Sequence, residues 1–165
     1  MPTPRQLATH RAGLPRNPPN RRDRSALASV MEPYSLAELY EELAMTTLTF
    51  RSGTSWRYSN YGFAVLGHAL ERATDQSYEE LLHEKLLTPL GMVDTKFSLT
   101  TEDLERFAAH YWPKAPRVER QRWIFGEVCA FAGLASTVPD LARFVEMHLG
   151  ATSSQATEPV RAPRC

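Results

Sequence analysis

The sequence predicts a mainly α chain with short strands, on three observations. Two capping boxes, Ser35-Leu36-Ala37-Glu38 and Ser77-Tyr78-Glu79-Glu80, place a hydroxyl and a carboxylate where each satisfies an orphan backbone N–H at a helix start. Apolar residues recur at helical spacing after Asn60 and again after Thr137. Only Thr46 to Phe50 is β-branched and aromatic enough to suggest a short extended piece.

Taken in order, residues 1–34 read as mostly irregular. Pro2, Pro4, Pro15, Pro18, Pro19 and Pro33 break the pattern, and Arg21, Arg22 and Arg24 form a solvated basic loop. The Ser35 cap opens a helix through Met45 with Leu36, Leu39, Tyr40 and Leu43 on one face. Ser52-Gly53 turns the chain into a Trp56–Asn60 loop. Phe63, Leu66, Gly67, Leu70 and Ala73 predict the buried face of a helix over 61–74, and Gly67 suggests close approach of another backbone. The Ser77 cap starts a helix that Pro89 and Gly91 stop. A weaker helix is predicted from Glu102 to His110 behind Thr100-x-x-Asp103. Trp112, Trp123 and Phe125 are expected to cover a core. Thr137 caps a last helix, with Pro139 tolerated in its first turn, an inner face of Leu141, Phe144, Val145 and His148 or Leu149, and Gly150 as terminator. Residues 1–150 thus read as one domain, and 151–165, rich in Ser, Thr, Ala and Pro, read as a disordered tail.

Composition narrows the function classes. The 165 residues are 42% hydrophobic and 23% charged, as in a soluble globular protein, and carry formal net charge zero. No global field draws in nucleic acid, and no run reaches the roughly 18 apolar residues of a membrane helix. No secretory leader is present in the chain as written, which reads as cytoplasmic, and the compartment stays open. Cys129 and Cys165 give no disulfide framework. His10, His68, His83, His110 and His148 lack metal-ligand spacing, so neither metal nor cofactor is expected.

Four segments carry a family resemblance. They are Gln6-Leu7-Ala8-Thr9-His10-Arg11-Ala12-Gly13-Leu14-Pro15, Tyr58-Ser59-Asn60, Pro89-Leu90-Gly91-Met92, and Ala132-Gly133-Leu134-Ala135-Ser136-Thr137-Val138-Pro139-Asp140-Leu141-Ala142-Arg143-Phe144. In this order they resemble the serine β-lactamase-related hydrolases: class C β-lactamases, D,D-peptidases and their esterase cousins. The resemblance covers about residues 5–149 and implies the helical region of the α/β serine β-lactamase/penicillin-binding-protein fold. It implies that Tyr58 is catalytic, moving protons between nucleophile and leaving group, and that Asn60 binds the substrate amide. A free phenol titrates near about 10 and needs a neighbouring cation or relay to act as a base at neutral pH. Asn offers a donor and an acceptor without charge. Spacing alone favours Tyr58 as one aromatic of a core cluster with Trp56, Tyr61 and Phe63, and Asn60 as a turn residue or an N-cap; the family order favours the site reading of Tyr58.

The chain departs from the family at the nucleophile. No Ser is followed by Lys three residues on; Lys85, Lys96 and Lys114 follow Leu82, Val93 and Tyr111 at that spacing. The family's third element, Lys-Thr-Gly or His-x-Gly, is spelled only by His148-Leu149-Gly150, which reads as a helix end. The resemblance therefore implies a fragment, truncated at both ends, of an enzyme that hydrolyses a β-lactam, D-peptide or ester through an acyl-enzyme, and this chain is expected to be inactive alone. Family members are often periplasmic or secreted. The competing expectation is a non-catalytic binding or assembly protein that reuses the helical region. Oligomeric state is open in both readings.

Overall fold

Helix starts in this chain are set by side chains that take the first free amides. The computed structural model describes residues 1–19, 34–109, 111 and 126–150. In it α1 (Pro4–Ala8), α2 (Leu36–Met45), α4 (Tyr78–Leu82) and α5 (Thr101–Glu105) each begin with a complete capping box, on Thr3, Ser35, Ser77 and Thr100. The long helix α3 is Asn60–Thr74, and α6 is Val138–His148 behind a Thr137 cap. Among the described residues there is no strand, and isolated bridges pair Tyr34 with Gly126 and Lys96 with Ala135.

The described residues divide into two compact units, one within Met1–Leu70 and Thr100–Gly133, the other within Glu71–Leu99 and Leu134–Cys165. In the first, Leu39 of α2 and Tyr61 of α3 are fully buried among Leu7, Ala12, Leu14, Tyr34, Ala64 and Val128. Each such side chain contributes roughly 1.5–3 kcal/mol by leaving water. Tyr61 keeps its polar tip satisfied. Thr46 spends its single proton on the Glu42 carbonyl (2.7 Å), so the Tyr61 hydroxyl donates to Thr46 Oγ1 (3.4 Å).

In the second unit, α4 passes into a π-helical stretch, His83–Leu87, and a last turn, Thr88–Leu90. Pro89 has no amide for the Lys85 carbonyl, so the regular α ladder cannot continue through this point. Gly91 ends the helix at φ 67° in a Schellman motif: its N–H donates to the Thr88 carbonyl, and that of Met92 to the Leu87 carbonyl. Leu87 and Met92 are both buried, the apolar contact that accompanies this motif. Pro-Leu-Gly-Met is thus a helix stop with its own packing.

Several expectations are corrected. The mostly irregular first residues include one short helix that was not expected, because Thr3 and Gln6 form a capping box and Pro4 sits at the first helical position, where its missing N–H costs nothing. Thr46–Phe50 is not a strand; its backbone link is Thr49 N–H to the Gly13 carbonyl at 2.7 Å. The buried face of α3 is Tyr61, Gly62, Ala64 and Gly67, while Leu70 is exposed. Helix α5 stops at Glu105, short of the predicted end. On α6, Leu141 and Val145 face solvent, and Asp140 is the buried residue. Trp112, Trp123, Phe125 and the 151–165 tail lie outside the described residues.

Candidate active site

The loop 55–59 and the first turn of α3 carry both residues singled out for chemistry. Within it, exposure alternates sharply. Tyr58 is 43% exposed and Asn60 intermediate, whereas Ser59 is 3% exposed and Tyr61 fully buried. Tyr61 belongs to the core, which separates it from Tyr58.

Ser59, not Asn60, is the cap of α3. Its hydroxyl accepts from the Gly62 N–H (2.8 Å) and donates to the Pro15 carbonyl (2.7 Å). One hydroxyl thereby satisfies an orphan helix amide and an orphan loop carbonyl. The amides of Asn60 and Tyr61 both donate to the Arg16 carbonyl, at 2.9 and 3.2 Å. The Asn60 side-chain amide donates to Asn17 Oδ1 at 2.9 Å. The segment 15–17 is therefore bound edge to edge against the start of α3.

His10 stands on the other side of Tyr58. It occupies the residue just after the α1 cap, with φ 57°, its N–H donating to the Leu7 carbonyl and that of Arg11 to the Gln6 carbonyl. This is the Schellman position usually given to Gly, and a side chain there costs roughly 1 kcal/mol. The His10 carbonyl accepts from the Arg57 N–H (2.9 Å), and its Nδ1 accepts from the Ser59 N–H (3.2 Å). Its ring lies 4.6 Å from that of Tyr58, 5.0 Å from Phe63 and 6.1 Å, edge-on, from Trp56. The Arg16 guanidinium lies 5.3 Å from the Tyr58 ring centroid, a cation–π contact.

Tyr58 thus stands beside His10 and Arg16, and Asn60, two residues on, beside Asn17, with Ser59 capping between them; spacing alone selected none of these four neighbours. The signal for His10 was its place in the Gln6-to-Pro15 segment. Chemically the edge offers a half-exposed phenol beside a cation and an amide beside a second amide, groups suited to proton relay and to holding a neutral polar substrate. Among the described residues no cluster of His, Cys, Asp or Glu could hold a metal ion. His148 ends α6, and Gly150 follows at φ 76°, so His148-Leu149-Gly150 is a helix terminus.

Comparison with known proteins matches residues 2–163 to the family model described as Beta-lactamase. Beta-lactamase-like protein 2 of Dictyostelium discoideum is 31% identical over 151 residues, which is 90% of this chain and 27% of that protein. The D-alanyl-D-alanine-carboxypeptidase/endopeptidase AmpH of Escherichia coli K12 is 27% identical, over 87% of this chain and 35% of its own length. Esterase EstB of Burkholderia gladioli is 35% identical over 92 residues, 56% of this chain and 23% of the esterase. Among solved structures, a class C beta-lactamase mutant superposes with TM-score 0.76 at 24% identity, over 96% of this chain and 41% of that one. The chain thus spans about a third or less of the first two of these relatives. It has the serine β-lactamase fold, of which the described residues are helix-rich.

Proposed function

The chain belongs to the Beta-lactamase family, and from that premise we propose that it is the helical region of a serine hydrolase acting on a β-lactam, D-peptide or ester. One observation supports the enzymatic reading above the rest: Tyr58, near the end of its loop, and Asn60, the first residue of α3, alternate with Ser59 and Tyr61, whose side chains are buried and structural. In the complete enzyme a Ser, absent here, attacks the substrate carbonyl, and the leaving group departs with a proton relayed through Tyr58. Asn60 binds the substrate amide, and water then hydrolyses the acyl-enzyme. Without Ser-x-x-Lys the 165-residue chain is inactive, because removing the nucleophile from groups that act as a unit abolishes covalent catalysis.

The test is acylation. Incubated with a fluorescent penicillin, a D-alanyl-D-alanine peptide and a p-nitrophenyl ester, the chain shows no mass increase on this reading. Fused to a family segment bearing Ser-x-x-Lys and the remaining sheet, it acylates, and Tyr58→Phe slows that reaction by about 10²–10⁴-fold. An acyl adduct on the 165-residue chain refutes the inactivity. Unchanged turnover in the Tyr58→Phe fusion refutes the role of Tyr58.

A second reading, a non-catalytic assembly protein, is favoured by one observation. Val138, Leu141, Val145 and Leu149 are 81, 51, 52 and 79% exposed at helical spacing along α6. Such a stripe on a soluble chain favours an interaction surface.

A further inference from the structure

We propose that His10 is a positioning residue that fixes Tyr58 by holding the backbone on both sides of it and packing on its ring. This rests on the reading of Tyr58 as the proton-relaying residue. The amide of Arg57, just before Tyr58, donates to the His10 carbonyl, and the amide of Ser59, just after it, donates to His10 Nδ1. Between those two anchors the phenol ring lies tilted against the imidazole at 4.6 Å. Arg16 bounds the Tyr58 ring at 5.3 Å, and Phe63 and Trp56 confine the imidazole.

Two features show that the side chain, not only the backbone, matters at this position. At φ 57° in a Schellman motif, Gly is the unstrained choice, yet an imidazole is kept there and used as an acceptor. An amide is a donor only, so Nδ1 must be bare, and a neutral ring then carries its proton on Nε2. A side chain that merely ended α1 would need no particular tautomer. One that fixes the Tyr58 loop needs this one, since Nδ1–H would face the Ser59 amide donor to donor.

The experiment separates the two roles by substitution in the full 165-residue chain. His10→Gly keeps, and eases, the left-handed backbone while removing the ring. His10→Asn tolerates the same φ and returns an oxygen acceptor near the position of Nδ1. Amide exchange at Ser59 and the ring-proton shifts of Tyr58 are read by nuclear magnetic resonance. His10→Gly is expected to speed Ser59 exchange about ten-fold and to shift the Tyr58 ring signals toward those of a free phenol. His10→Asn should restore Ser59 protection without restoring the ring shift. Ser59 exchange within two-fold of wild type in His10→Gly, with the Tyr58 signals unmoved, overturns the proposal.

A measurement on the unaltered chain decides the matter if the Gly variant fails to fold. Long-range ¹⁵N–¹H correlation of His10 must show the neutral ring protonated at Nε2, and Nδ1–H overturns the proposal. None of these readouts uses substrate. Failure of the enzymatic reading appears separately, as turnover that survives Tyr58→Phe in the fusion.

Discussion

Removing the Asp140 carboxylate should cost the second unit more stability than any other single truncation of its polar groups. Asp140 is 1% exposed, on the first turn of α6. Its Oδ2 accepts from the Asp94 N–H and from Thr95 Oγ1, both at 2.8 Å, and its Oδ1 accepts from Arg143 Nη1 at 2.7 Å. Thr95 gives its one proton to Asp140, so Ser136 donates to Thr95 at 2.8 Å, extending the network to the residue before the α6 cap. Hydrogen bonds to a charged group are worth about 1.5–3 kcal/mol each, and the three here are not additive. The Arg143 side chain is 45% exposed and returns to water when freed, so its ion pair adds at most about 1 kcal/mol. Asp140→Ala leaves a buried hydroxyl and a backbone amide without their acceptor, for a cost of about 3–5 kcal/mol. Asp140→Asn keeps the volume and one acceptor oxygen and should lose about 2 kcal/mol. The assay is urea unfolding followed at the Leu87 and Met92 methyl signals, with Arg143→Ala as the control for the exposed partner. An Asp140→Ala loss below about 1 kcal/mol refutes the claim that this carboxylate ties the 94–96 segment to α6.

Two further perturbations test the first unit. Burial pushes the Tyr61 phenol from 10.0 up to about 12. The folded state thus holds this proton more tightly than the unfolded chain. Stability is full below pH about 10 and falls by about 2–3 kcal/mol as pH rises through about 12; alkaline unfolding should show that fall, and Tyr61→Phe should flatten it in this window. Gly13 sits at φ 85°, and a Cβ there would stand 2.3 Å from the Phe50 carbonyl oxygen. Gly13→Ala should destabilise by about 2–5 kcal/mol from strain and overlap together, and a thermal midpoint equal to wild type would contradict this.

The parts of the fold visible in the sequence are those that local chemistry decides. Ser35, Ser77, Thr100 and Thr137 cap helices as their spacing predicts, and Gly91 and Gly150 end them. The expectations that fail depend on partners distant in sequence. The face of α3 was read only in part, Gly67 and Leu66 meeting the core as expected while Leu70 is exposed, because periodicity shows an apolar stripe but not which edge of it is buried. Ser59 was passed over as a cap because its second bond goes to Pro15, 44 residues earlier. His10 showed in the sequence only as a member of a family segment, because its bond to Ser59 spans 49 residues.

The four segments that reveal the family divide unevenly between folding and chemistry. Gly13 allows the approach of Phe50, Pro89 to Met92 form a helix stop, and Asp140 forms a buried latch. Each is explained by packing or hydrogen bonding with no substrate in view. Tyr58 differs in that its side chain enters none of this packing: it is 43% exposed between two anchored amides. A core aromatic would be drawn in, as Tyr61 is, and a solvated turn residue would not need an imidazole and a guanidinium around it. The cost accepted at His10, a side chain in a backbone conformation that suits Gly, falls on the residue proposed to hold Tyr58 in place. Strain kept where it orients one exposed polar group is the pattern of a site rather than of a scaffold. On that ground the hydrolytic reading is stronger for the Tyr58 edge than the assembly reading, whose support lies elsewhere, on α6.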